Sequence, residues 1–123
     1  MRFELINLAD PSRFVRVNLW NWQPTVEIIR HLGVLDENRL QRMRVNQQHV
    51  RVNADEAHTI ADTLRRKVCA ELTPGQRVTP DLRITSESAD FDWEHPEEEC
   101  SASYEWLQQF VEFCRNSQGF EVN

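Results

Sequence analysis

The sequence has few glycines and few cysteines, and each scarcity excludes a class of function. Its three glycines, Gly33, Gly75 and Gly119, lie too far apart to form a Gly-rich phosphate-binding loop. The chain also has no Gly-x-Ser-x-Gly motif for a nucleophilic serine. Three cysteines without a Cys-x-x-Cys pair indicate free thiols in a reducing compartment rather than a disulfide framework. Covalent catalysis is therefore not expected.

Long apolar runs are missing as well. No stretch approaches the roughly 18 apolar residues that a membrane-spanning helix needs. The N-terminal sequence MRFELINLADPSRF carries a charge every few residues, which a signal peptide does not. A length of 123 residues suits one domain, residues 1–123. We therefore expect a cytoplasmic protein with one compact domain, no membrane partner and no cofactor.

Charge is distributed unevenly along the chain. Residues 1–84 contain 13 Lys and Arg against 10 Asp and Glu, a net charge of +3, whereas residues 85–123 contain 1 against 10, a net charge of −9. Residues 38–54, the Arg39–Arg51 block, contain arginines and no acid. Residues 85–99, the acidic stretch, contain no base and seven acids: Glu87, Asp90, Asp92, Glu94, Glu97, Glu98 and Glu99. Such asymmetry marks either a partner surface or two blocks that pair with each other.

Apolar spacing predicts two main helices that pack on an N-terminal hairpin. On a helical wheel the apolar residues of Tyr104–Asn116 all fall on one side: Tyr104, Trp106, Leu107, Phe110, Val111, Phe113 and Cys114. A second stripe runs through Ala54–Leu72, which opens on a capping box of Asn53 and Glu56. In two segments before residue 21, apolar and polar residues alternate as they do in half-buried β-strands. The predicted fold class is α+β, a hairpin or small sheet packed by these helices with short extra helices.

Prolines and glycines predict the remaining boundaries. Pro24 suits the first position of a helix that Gly33 ends. A short capped helix is predicted for Glu37–Met43. The segment Val78–Thr85 is predicted to hold one strand, interrupted by Pro80 and therefore at a sheet edge.

The C-terminal region is predicted to be mainly helical. Pro96 and the glutamates that follow it suit the first turn of the final helix. Gly119 then offers a left-handed stop, and Phe120 is placed to fold back onto Cys114. Residues 121–122 are expected to form a short extended tail.

Three segments together carry a resemblance. NLWNWQP (Asn18–Pro24), the capped helix after Asn53 and WLQQFVEFCRNSQGFEV (Trp106–Val122) resemble a set of small uncharacterised bacterial proteins. That set shares an Asn-Trp segment before a helical proline and the ending Phe-x-x-Phe-Cys-Arg-x-Ser-x-Gly-Phe-x-Val. The resemblance covers most of the chain and implies a bacterial source. It implies no activity, because its motifs are of the packing type.

Two groups of residues suggest a metal or an acid–base pair. Asp55, His58 and Asp62 share one helical face, which suits either a carboxylate–histidine metal site or a solvated polar face. The segment Asp90–His95 alternates acids with Phe91 and Trp93 and ends on a histidine. It suits a small metal-binding protein or a hydrolase, or a loop that turns two aromatic rings inward.

The Arg39–Arg51 block suggests contacts with nucleic-acid phosphates. A sequence pI of about 5.2 argues against this interpretation, because the long-range field repels a polyanion. A solvated face, or pairing with the acidic stretch, explains the arginines better.

The preferred hypothesis is a non-enzymatic protein-binding module with a basic protein partner. Charge would speed encounter and aromatic rings would anchor the complex, as in small acidic proteins that neutralise basic toxins. Trp20 and Trp22 suit either anchors or core positions. The predicted contact residues are Trp20, Trp22, Asp90, Asp92, Trp93, Glu94, Glu97, Glu98 and Glu99.

Overall fold

The computed structural model describes residues 2–45, 48–86 and 101–123, which form the expected α+β fold. Two antiparallel sheets and four α-helices make up this part of the chain. In chain order the elements are β1 (Arg2–Asn7), β2 (Phe14–Asn18), α1 (Leu19–Leu32), α2 (Glu37–Met43), β3 (Val50–Val52), α3 (Ala54–Lys67), a 3₁₀ turn (Cys69–Glu71), β4 (Gln76–Val78), β5 (Ile84–Ser86), β6 (Ala102–Ser103), α4 (Tyr104–Asn116) and β7 (Phe120–Val122).

The four-stranded sheet joins both ends of the chain. Its strand order is β2-β1-β7-β3, and all three pairings are antiparallel. The predicted hairpin is β1–β2, and the predicted C-terminal tail becomes β7 in the middle of the sheet. Backbone hydrogen bonds between Glu4 and Asn123, at 3.1 and 2.8 Å, extend the β1–β7 ladder to the last residue. The sheet therefore depends on the final residues of the described chain.

Aromatic side chains from β1, α1, α4 and β7 form the centre of the core. The ring centroid of Phe110 lies 5.7 Å from that of Trp22, 5.6 Å from that of Trp106 and 6.2 Å from that of Phe120. Trp22 also packs on Phe3 at 6.0 Å. The burial of α4 confirms its predicted apolar face. Phe110 packs edge-on against Trp22 and Phe120 and stacks on Trp106, and such ring pairs stabilise the core beyond the apolar area that they bury.

Helix α1 begins earlier than the sequence predicted. The Asn18 side chain caps it by accepting a hydrogen bond from the Asn21 amide at 2.9 Å, so Leu19 is the first helical residue. Pro24 consequently lies inside the helix, and its prediction as the first residue was wrong. The predicted end is confirmed, because Gly33 has φ +68° and its amide donates to the carbonyls at 29 and 30.

The boundaries around α2 and α3 follow the sequence signals closely. Asp36 caps α2, which spans the predicted Glu37–Met43. Asn53 and Glu56 form both hydrogen bonds of the capping box at the start of α3. The helix ends at Lys67, and the apolar stripe continues into the 3₁₀ turn, so the stripe predicted the buried face and overestimated the helix length.

The second sheet has three short strands in the order β5-β4-β6. The prediction of one strand over Val78–Thr85 was wrong, because residues 79–83 turn the chain back and make a hairpin of β4 and β5. Pro80 lies in that turn, and Leu82 adopts φ +68° there. Helix α4 starts at Tyr104, where Ser103 caps it, rather than near Pro96, which lies outside the described residues. A polar cap after a strand therefore set the start of the helix.

Candidate functional site

The structure fixes where the acidic stretch leaves the three-stranded sheet and where the chain returns to it. β5 ends at Ser86 and β6 begins at Ala102, and these strands pair with opposite sides of β4. The two ends of this connection are therefore attached at opposite edges of the sheet. All its charged residues lie outside the described residues, as does Trp93 and the whole alternative site Asp90–His95.

The returning end is held by a polar network that the sequence did not reveal. Arg77, on β4, donates from Nε to Ser101 Oγ at 2.8 Å and from Nη2 to the Ser101 carbonyl. The Asn21 side-chain oxygen accepts from Arg77 Nη2 at 3.1 Å and from the Ser103 amide at 3.0 Å. The first turn of α1 is thereby joined to the strand on which the chain returns. Such bonds between distant residues leave no local pattern in a sequence.

The two predicted tryptophan anchors have different environments. Trp20 lies on the first turn of α1, next to Asn21, and 44% of it is exposed. Its neighbour Asn21 accepts a hydrogen bond from the Ser103 amide, so the first turn of α1 lies beside β6. Trp22 is fully buried, and its Nε1–H donates to the Met43 carbonyl at 2.7 Å. Trp22 is a core residue in this fold and offers no surface to a partner, so Trp20 alone stays a candidate anchor among the described residues.

Arg39 is bound by carboxylates from two elements. Its guanidinium forms ion pairs with Asp36, the cap of α2, and with Glu56 of α3. Its Nη1 also donates to the Arg51 carbonyl at 3.2 Å, which covers part of the outer edge of β3. The side-chain hydrogen bond from Arg39 lowers the pKa of Glu56 from its ordinary value. These contacts occupy Arg39 within the fold.

Other arginines of the Arg39–Arg51 block also have partners outside the acidic stretch. Arg44 Nη1 lies 3.3 Å from a carboxylate oxygen of Glu27 on α1. Arg51 Nε donates to Glu121 on the neighbouring strand at 3.1 Å. Arg42 donates to a backbone carbonyl. With these donors engaged inside the fold, the block is a poor match for nucleic-acid phosphates.

The α3 residues predicted to bind a metal each contact a different part of the fold. His58 Nε2 lies 3.1 Å from the Ser117 carbonyl, beyond the end of α4. Asp62 accepts from Arg66 Nε at 3.0 Å, so its charge is already paired. The described residues contain no group of three His, Cys, Asp or Glu side chains arranged to hold a metal ion. The geometry of this face is that of helix-surface pairs.

A groove of about 260 Å³ runs between α3 and α4. Its floor is apolar and its rim carries both signs of charge. The residues that line it are His58, Ala61, Asp62, Arg65, Val111 and Arg115.

Cys69 and Cys114 are free and buried, as the sequence predicted. Burial raises the pKa of the Cys69 thiol to about 11 and that of the Cys114 thiol well above its ordinary value. A thiol in such surroundings is a poor nucleophile, because the thiolate is the reactive form. Neither cysteine therefore suits covalent chemistry.

Comparison with known proteins identifies no relative, so a function can be proposed only from the geometry described above. No protein-family model, curated protein sequence or solved structure matches the chain. The resemblance inferred from the sequence therefore stays a prediction. Within residues 2–45, 48–86 and 101–123, no helix is long and apolar enough to cross a membrane.

Proposed function

We propose that the chain is a non-enzymatic binding module that holds a basic protein through its acidic stretch. One observation carries the proposal furthest: Trp20 is 44% exposed, and the next residue, Asn21, accepts a hydrogen bond from the Ser103 amide on the strand on which the chain returns from the acidic stretch. An aromatic anchor next to a run of carboxylates is a combination that binds cationic protein surfaces.

The charge of the described residues supports the same proposal. Arginines of the Arg39–Arg51 block bind Glu27, Asp36, Glu56 and Glu121, all of which lie outside the acidic stretch. Arg77 on β4 and Arg83 in the β4–β5 turn are the basic residues of this hairpin, and Arg83 already pairs with Asp81. The acidic stretch therefore retains an excess of negative charge, which attracts a cationic partner and accelerates its association.

The profile is that of a small acidic protein that neutralises a basic partner, as an immunity protein neutralises a toxin. We place this function in the bacterial cytoplasm, as the free thiols and the sequence resemblance predict. Neutralisation needs binding alone, so the module requires neither a cofactor nor a catalytic residue.

Affinity capture with charge-matched variants tests the proposal. The bait is the wild-type chain beside E97Q/E98Q/E99Q, which removes three carboxylates from the acidic stretch. The matched control is E71Q/E105Q/E112Q, which removes three exposed carboxylates from the 3₁₀ turn and α4. A captured basic protein is then purified, and its dissociation constant is measured at several salt concentrations.

We expect E97Q/E98Q/E99Q to weaken binding at least about tenfold and to flatten its salt dependence, because exposed charges are screened by salt. The control should bind like the wild type. The variant W20A should lose affinity with an unchanged salt slope, because it removes an apolar contact. Equal binding by the wild type and E97Q/E98Q/E99Q would refute the proposed surface.

A further inference from the structure

We propose that the groove between α3 and α4 binds a small anion through a carboxylate or phosphate group. The residues involved lie on the two helices, and none of them belongs to the acidic stretch. This inference is therefore independent of the proposed protein partner, and either can fail without the other.

The groove follows from how the two helices meet the four-stranded sheet. Val52 and Phe120 pair across β3 and β7, so the start of α3 lies beside the end of α4. His58 Nε2 contacts the Ser117 carbonyl at this point. A carbonyl oxygen only accepts, so Nε2 carries the hydrogen, and this bond holds the imidazole at one end of the groove.

Helical spacing aligns the lining residues. On α3 the lining positions are 58, 61, 62 and 65, and on α4 they are 111 and 115. Residues three and four apart share a helix face, so each helix presents one continuous strip. Ala61 and Val111 are almost fully buried and form the apolar floor. The two lining arginines, Arg65 and Arg115, stand on opposite walls.

The single carboxylate in the groove is already paired. Arg66 binds Asp62 through both Nε, at 3.0 Å, and Nη2, at 2.9 Å, and Arg66 does not line the groove. Arg65 Nη2 lies 3.5 Å from the other oxygen of Asp62, which is too long for a normal hydrogen bond. The donors of Arg65 are therefore available to a ligand.

Arg115 is the stronger indication of a ligand. It forms no ion pair or side-chain hydrogen bond with any residue in the described part of the chain. A guanidinium presents five donors in a planar fork that matches a carboxylate or phosphate. The helix dipole also favours a cation in the last turn of α4. Any positive charge would satisfy the dipole, whereas only an arginine offers the planar fork of donors.

The volume limits the ligand to a small molecule. Ligand sites for drug-sized molecules occupy roughly 300–1,000 Å³, and this groove encloses about 260 Å³. The groove therefore suits an anionic head with a short apolar part over Ala61 and Val111.

A titration followed by amide NMR spectra of the whole chain tests this inference. Inorganic phosphate and acetate are added separately at constant ionic strength, with chloride as the reference anion. We expect saturable shifts in residues 58–65 and 111–117. A response to phosphate alone, or to acetate alone, would identify which oxyanion the site prefers.

Variants distinguish the contribution of the planar guanidinium donors to anion binding from that of the positive charge. R65Q and R115Q should each weaken binding at least about tenfold, because each removes charge-assisted hydrogen bonds. R115K keeps the charge at the end of α4 and should also weaken binding, since lysine lacks the fork. The matched control R83Q removes an exposed arginine from the turn between β4 and β5 and should bind like the wild type.

Three results would overturn the inference. The first is the absence of saturable shifts up to about 20 mM anion, a range that reveals even millimolar binding. The second is equal binding by R115Q and the wild type. The third is shifts that chloride produces equally well.

Discussion

The two sheets of this protein differ in how much apolar side chain they bury. The four-stranded sheet presents a continuous buried face from all its strands, formed by Phe3, Leu5, Val17, Val50, Val52, Phe120 and Val122. In the three-stranded sheet Val78 and Ala102 are buried, whereas Ile84 on β5 is 42% exposed and Leu82 in the adjoining turn is 39% exposed. The first sheet contributes to the core from all four strands, whereas the second contributes Val78 of β4 and Ala102 of β6 and leaves Ile84 of β5 partly exposed.

This difference predicts which part of the fold is the more stable. Buried apolar area is the main favourable term in folding, so the four-stranded sheet and its helices should unfold together. Polar contacts of Arg77, Asn21 and Ser103 join the three-stranded sheet to α1, beside the buried side chains of Val78 and Ala102. Binding elements usually belong to the less stable part of a fold, and the acidic stretch is attached to this second sheet.

The largest expected effect comes from the core aromatic Phe110. F110A should lower the free energy of unfolding by about 3–5 kcal/mol, because it removes a ring that contacts Trp22, Trp106 and Phe120 and leaves a cavity. I84A, on the three-stranded sheet, should change it by about 1 kcal/mol or less. Urea denaturation of both variants checks the comparison, and equal losses would remove the proposed distinction between the sheets.

A pair of glycines sharpens the comparison. Gly119 has φ +96°, and an added Cβ would lie 2.7 Å from the Val52 carbonyl oxygen, inside the four-stranded sheet. Gly75, before β4, has φ +88° and open space around it. G119A should lower the free energy of unfolding by roughly 1–3 kcal/mol. G75A should lower it by about 1 kcal/mol, because only the strain of the left-handed backbone contributes there. Thermal unfolding measures both, and a G119A loss no greater than that of G75A would mean that the close approach does not matter.

The smallest effect concerns two carboxylates, Glu56 at the start of α3 and Asp81 in the turn between β4 and β5. Arg39 lowers the pKa of Glu56, so this pair stabilises the fold above the ordinary glutamate pKa of 4.5, and the contribution is lost as the pH falls through the lowered value. E56Q should therefore cost about 1 kcal/mol or less at pH 7, and the difference from the wild type should shrink in acid.

Asp81 in the turn of the second sheet is the control for that pH dependence. Its pKa is also lowered, chiefly by the Thr79 hydroxyl, but its side chain lies at the exposed tip of the hairpin. D81N should leave the acid unfolding curve close to that of the wild type. A larger acid shift for D81N than for E56Q would contradict the account.

Local signals in the sequence predicted most of the helical fold. The caps at Asp36 and Asn53, the stop at Gly33 and the apolar face of Tyr104–Asn116 each depend on residues within a few positions of one another, and the structure confirms them. The start of α1 was missed because two local signals compete, and the Asn18 cap prevails over the proline.

Pairings between distant residues could not be predicted in the same way. The sequence indicated that the C-terminal residues are extended, but not that they insert between β1 and β3, because Leu5 and Val122 are neighbours only in the folded chain. The network of Asn21, Arg77 and Ser103 was missed for the same reason. For the candidate site, the sequence identified the exposed Trp20 but could not distinguish it from the buried Trp22.

The measurement that tests the central claim most directly is an amide NMR titration of the wild-type chain with a short polylysine peptide. The acidic stretch should retain its charge for an external cation, since Arg39, Arg44 and Arg51 of the Arg39–Arg51 block have other partners. We expect shifts confined to residues 87–100 and to Trp20 and Asn21 in the first turn of α1, and a loss of these shifts at high salt. Shifts centred instead on the Arg39–Arg51 block, as the peptide displaces its arginines from the acidic stretch, would contradict the central claim.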